Sequence, residues 1–80
     1  METTVTFTLD QFQQVYSGKD GRCCCGCSGK HYTAADKGWA AMGAKVMRLL
    51  NDPANGAEDN GDHVSVVLDG RLYIGYRKEA

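Results

Sequence analysis

No stretch of this chain approaches the roughly 18 consecutive apolar residues that a membrane-spanning helix needs. Its opening, Met1-Glu2-Thr3-Thr4, carries no basic segment and no apolar run follows it, so a secretory leader is not expected. No nucleophile elbow, phosphate loop or paired-carboxylate arrangement is present, and an enzyme is not expected. Gly29-Lys30 comes nearest, but it lacks both the earlier glycine and the following Ser or Thr of a phosphate loop. There is no internal repeat and no low-complexity segment. Eighty residues leave no room for a second core, so residues 1–80 are expected to form a single small domain. Together these absences point to a reducing cytoplasm, where neighbouring thiols favour metal or redox chemistry over structural disulfides.

Against this background the four cysteines stand out. A domain of this size buries about 60% of its unfolded surface, which leaves a margin of about 3–5 kcal/mol from the core alone. Cys23-Cys24-Cys25-Gly26-Cys27 and His31 are the candidate staple. Cysteines this crowded bridge one another poorly, because a disulfide needs separated, converging Cα positions. In an extended stretch Cys23, Cys25 and Cys27 project to one side. With His31 they make Cys-x-Cys-x-Cys-x3-His, three sulfurs and a nitrogen for a tetrahedral structural zinc. The rival set is Cys24-x-x-Cys27-x3-His31, with Gly26 supplying the turn and Cys23, His63 or water the fourth ligand. No second knuckle accompanies either set. Packed free thiols, or a redox pair whose thiol pKa is lowered by Arg22 and Lys30, are the remaining readings. His63 itself reads as a polar residue at a sheet edge.

The net charge is only −1, yet it is unevenly spread. Lys19, Arg22, Lys30, Lys37, Lys45 and Arg48 face only Asp20 and Asp36 across residues 19–48. Asp52, Glu58, Asp59, Asp62 and Asp69 then follow with no basic residue among them. Two solvated faces of opposite sign would account for this. The alternative is a basic patch, Lys19, Arg22 and Lys30, that attracts an anion, a nucleic acid or an acidic protein. Tyr32, Tyr73 and Tyr76 come with no RNA-binding signature, so they read as packing residues.

The elements predicted are α+β. Residues 4–7 alternate as a strand. Thr8 and Gln11 form a capping box, with Phe7 stapled on Phe12, ahead of a short helix whose apolar face is Leu9, Phe12, Val15 and Tyr16. Gly18 stops it. Residues 18–32 read as a cysteine-rich loop. A long helix starts near Thr33, capped by Asp36, and buries Ala35, Trp39, Met42, Val46, Leu49 and Leu50. Asn51-Asp52-Pro53 ends it. An acidic loop covers residues 53–62. Asp69-Gly70 is a two-residue hairpin turn between strands 64–68 and 71–76, pairing Val67 with Leu72, Ser65 with Ile74 and Val66 with Tyr73. The expected architecture is a three-stranded antiparallel sheet, made of the N-terminal strand and this hairpin, packed by the long helix. Both hairpin faces are apolar, so the second is covered by the short helix or offered to a partner.

The stretch Val15-Tyr16-Ser17-Gly18-Lys19-Asp20-Gly21-Arg22-Cys23-Cys24-Cys25-Gly26-Cys27-Ser28-Gly29-Lys30-His31 resembles small proteins of tailed bacteriophages. These share a Tyr-Ser-Gly-Lys step before a Cys-x-Cys-Gly-Cys loop and a terminal hairpin like Arg71-Leu72-Tyr73-Ile74. The resemblance implies a location in the cytoplasm of a bacterial host and Cys23, Cys25 and Cys27 as the shared set. It also implies a role in binding a host protein or complex, such as a CRISPR effector, rather than catalysis. A nucleic-acid or nucleotide binder using Lys19, Arg22 and Lys30 is the second expectation, and a thiol redox protein the third. A monomer or small homo-oligomer with no membrane partner fits each of them.

Overall fold

A computed structural model describes residues 6–19 and 29–78. Its elements are β1 (Phe12–Lys19), β2 (Gly29–Thr33), α1 (Trp39–Leu50), β3 (Glu58–Asp59), β4 (His63–Leu68) and β5 (Arg71–Arg77). All strand pairs are antiparallel and the order is β2-β1-β5-β4-β3. The chain is therefore α+β, but the three-stranded sheet expected from the sequence is replaced by five strands. No helix among the described residues is long and apolar enough to cross a membrane.

The largest correction lies at the N-terminus. Residues 4 and 5 fall outside the described residues, and Thr6 and Phe7 belong to no strand. The Thr8–Gln11 pair forms as expected, with the Thr8 N–H donating to Gln11 Oε1 at 2.9 Å. It turns the chain only once, as a 3-10 turn over Leu9–Gln11, and Phe12 is already extended at φ −119°, ψ 145°. The residues read as a short helix are instead β1. The helical spacing of Phe12, Val15 and Tyr16 has another cause. A bulge between Phe12 and Gln14 sets both Phe12 and Gln13 against Arg77, so Phe12 and Val15 share a face three residues apart. Phe12 and Val15 are fully buried on the α1 side, and Tyr16 on the other.

The long helix begins later than its capping residue suggests. Asp36 does accept from the Thr33 N–H at 2.6 Å, but that pair closes a turn and α1 starts only at Trp39. Thr33 is committed to β2 through its pairing with Gln14, which leaves residues 34–38 to reverse the chain. Ala35 is consequently exposed and outside the helix. Gly43, Val46, Met47 and Leu50 are buried against the sheet, and Trp39, Met42 and Leu49 pack at its margin. Asn51 caps the end and grips the distant N-terminal segment. Its Oδ1 accepts from the Phe7 N–H at 2.6 Å and its Nδ2 donates to the Phe7 carbonyl at 2.9 Å.

The hairpin follows its expected register pair by pair, and Asp69 and Gly70 both take positive φ (52° and 76°). That is the two-residue turn whose twist matches the strands it joins. The acidic loop gains the two-residue strand β3 against Val64 and Ser65. There Arg77 grips Asp59 with both guanidinium nitrogens at 3.1 and 3.0 Å.

Replacing Asn51 with Ala removes both hydrogen bonds that tie Phe7 to the end of α1. Chemical denaturation is expected to show a loss of about 1–3 kcal/mol, the range for leaving buried backbone groups unpaired.

Candidate functional site

The register of three strands gathers charge at one end of the helix-side face. Ser17 stands opposite Lys30 on β2 and opposite Tyr73 on β5, and Lys19 stands opposite Arg71. Cross-strand partners lie on the same face, so Lys19, Lys30 and Arg71 converge there. Placing Lys19 directly across from Arg71 is unfavourable, because like charges at opposed positions destabilise a sheet. Among the described residues Arg77 pairs with Asp59 and His63 contacts Asp62, and no such contact involves these three cations. The Arg71 guanidinium donates instead to the Ser17 hydroxyl at 3.2 Å. Ser17 is the buried polar side chain of the described core, and it holds Arg71 in place.

Above this charge lies a cavity of about 410 Å³ lined by Ser17, Lys19, Gly29, Lys30, Tyr32, Met42 and Arg71. Among the described residues no carboxylate lines it. A concave space bordered by three cations raises the local concentration of anions.

From the sequence, Lys19, Arg22 and Lys30 are the residues expected to form such a patch. Lys19 and Lys30 do come together; Arg22 lies outside the described residues. Arg71 and Ser17 were not anticipated. Arg71 follows the hairpin turn, far along the chain from Lys30, and only the pairing of β1 with β5 could have placed it.

Of the proposed metal ligands, Cys23, Cys25 and Cys27 lie outside the described residues, as does Cys24, and His31 is described. It sits on β2 on the face away from α1. Its ring centroid is 4.7 Å from that of Tyr16 and 5.7 Å from that of Tyr76. Tyr16 is fully buried there, lying across Gly18 and Gly29, where any Cβ would collide with its ring. Both His31 ring nitrogens are sealed from solvent with no hydrogen-bond partner among the described residues. An imidazole always presents at least one N–H, and when neutral one lone pair, so both needs are unmet. Burial pushes its pKa below the ordinary 6.5, which keeps the ring in the neutral form that ligates metals. His63 opens β4, an interior strand of the sheet, opposite Tyr76, with Nδ1 2.7 Å from Asp62 Oδ1. The described residues hold no cluster of three ligating side chains.

No family model, curated protein or solved structure matches this chain. Its chemistry is therefore read from its own geometry.

The sealed ring nitrogens of His31 predict a direction of pH dependence. In the unfolded chain it takes up a proton near its ordinary 6.5, whereas in the fold it resists until lower pH. The unfolded state then binds more protons over that window, and stability falls as pH decreases. Chelator-treated protein is expected to keep full thermal stability above about pH 6.5 and to lose it progressively below. His31→Phe, which preserves the ring contacts with Tyr16 and Tyr76, should flatten this slope. An unchanged slope would assign it to other groups.

Proposed function

We propose that this chain is a non-enzymatic binding protein that takes a phosphate-bearing ligand in the basic cavity beneath α1. One observation carries the reading. Lys19, Lys30 and Arg71 are brought to one cavity that no carboxylate among the described residues lines, at the expense of a like-charge pair across β1 and β5. Local conflicts of this kind are tolerated where a site requires them. An anion bridging the three side chains would relieve the repulsion. Arg71, held by Ser17, offers a planar fork suited to phosphate oxygens. Glu58, Asp59 and Asp62, by contrast, lie on β3 and in the segment before β4, at the far edge of the sheet.

Titration calorimetry with inorganic pyrophosphate is the direct test. Binding should weaken steeply as salt is raised, because exposed charge pairs are screened within about 8 Å at physiological ionic strength. Arg71→Ala should lower affinity by about tenfold or more, the scale of losing a charge-assisted hydrogen bond. Lys78→Ala, outside the cavity, should leave it unchanged. Absence of binding at low salt, or indifference to Arg71→Ala, would reject the site.

A second reading is favoured by the unpartnered nitrogens of His31. A zinc ion held by Cys23, Cys25, Cys27 and His31 would take up one of those nitrogens and staple the segment joining β1 to β2. Four protein ligands leave no open coordination position, so its role would be structural. Elemental analysis of purified, reduced protein should then find about one equivalent of zinc. Cys25→Ser should release it while the helix and the β4–β5 hairpin persist. Zinc at less than about a tenth of an equivalent would return the cysteines to packing or redox roles.

The phage resemblance makes a host protein or complex, such as a CRISPR effector, the competing partner. Recovery of a protein partner from nuclease-treated bacterial lysate, undiminished by Arg71→Ala, would favour it over the phosphate-bearing ligand.

A further inference from the structure

The cavity is not uniformly charged, and its gradient follows the strands. Successive residues on one face of a strand lie about 6.6 Å apart along it. The outermost row is Lys19 with Arg71, the next Lys30 with Ser17 and Tyr73, and the third Tyr32 with Val15 and Gly75. Cations therefore occupy two adjacent rows, and an aromatic ring begins the next. Met42 of α1 borders the same space. Tyr32 is half-buried and its ring is backed by the turn before α1. A Cβ on Gly38 would lie 2.8 Å from Tyr32 Cε1. The ring is thus held beside the cavity rather than left to swing in solvent.

Resting on the phosphate-binding reading above, we infer that the ligand is a mononucleotide, its phosphate among Lys19, Lys30 and Arg71 and its base against Tyr32 and Met42. An inorganic anion would leave the Tyr32–Met42 end unused. A nucleic-acid strand would call for a track of stacking aromatics along a basic groove. Here Tyr32 is the one aromatic side chain that lines the cavity among the described residues. At about 410 Å³ the space lies near the lower end of the range for small-molecule sites and suits one nucleotide. Tyr32 supplies a π-face and Met42 a polarizable thioether, both favourable neighbours for a planar base. Neither reads the edge of the base, so purine and pyrimidine nucleotides should both bind.

The test compares five probes on the full chain by calorimetry: AMP, UMP, adenosine, ribose 5-phosphate and a short single-stranded oligonucleotide. AMP is expected to bind at least about tenfold more tightly than either adenosine or ribose 5-phosphate, the scale of one base stacked on an aromatic ring. Tyr32→Ala should reduce AMP to the level of ribose 5-phosphate while leaving pyrophosphate affinity intact, and Tyr32→Phe should retain AMP binding. Met42→Ala provides an independent variant should Tyr32→Ala unfold, and it should weaken AMP in the same selective way. If ribose 5-phosphate matches AMP in the unsubstituted protein, the base subsite is wrong although the anion site stands. If no phosphate compound binds, both readings fall together. An oligonucleotide bound about tenfold more tightly than AMP would overturn the mononucleotide in favour of a nucleic-acid strand.

Discussion

The antiparallel pairing of β1 with β5 joins the beginning of the described chain to its end, and both faces of the protein are organised around it. It places Val15 beside Gly75 and Tyr16 beside Ile74, so one pair of strands seeds an apolar cluster on each side of the sheet. It also sets Lys19 against Arg71 and Ser17 against Tyr73, which defines the floor of the basic cavity. Long-range pairings like this have to offset the entropy of closing the intervening chain before they contribute anything. The buried aromatic residues on both faces are what make that closure favourable. Contacts at the margins depend on it in turn. Phe7 packs on Phe12 with ring centroids 6.3 Å apart, and Arg77 lies 5.7 Å from the centre of the Phe7 ring.

The two faces use their burial differently. The α1 face is an apolar core of Phe12, Val15, Val46, Leu50, Val64 and Val66 that turns polar only where β1, β2 and β5 reach their charged ends. The opposite face is smaller and aromatic, built on Tyr16, Leu72 and Ile74 with Tyr76 at its edge, and it contains a histidine whose polar atoms are sealed. The short helix expected to cover this face does not exist, yet Tyr16 is wholly inaccessible. Both candidate sites therefore lie on or beside β2, one on each side of the sheet. The two residues that identify them, Lys30 and His31, are adjacent in sequence and point in opposite directions because strand side chains alternate.

What was legible in the sequence was legible for local reasons. The Asp69-Gly70 turn, the hairpin register and the stop at Pro53 need only a few neighbouring residues and their backbone preferences. The Thr8–Gln11 and Thr33–Asp36 pairs also formed, but each capped a turn rather than a helix. A capping pair satisfies backbone groups over one turn and says nothing about the next residues. After Gln11, Phe12 and Val15 were drawn into a strand by β5, and a bulge gave them the spacing of a helix face. After Asp36, Thr33 was already paired to Gln14, and the helix had to wait until Trp39.

The candidate site divides in the same way. Composition and spacing by themselves determined that basic residues crowd around the cysteines and that His31 is a plausible ligand. They also determined that Lys19 and Lys30 belong to one neighbourhood, since both flank the same short segment. Only the tertiary structure decided that the neighbourhood includes Arg71, Ser17, Tyr32 and Met42, and that His31 faces away from it. The physical reason is that side-chain direction in a strand is set by register, and register here is set by partners distant in the chain. No local pattern encodes which residue will stand opposite Lys19. The pairing of β1 with β5 decides it.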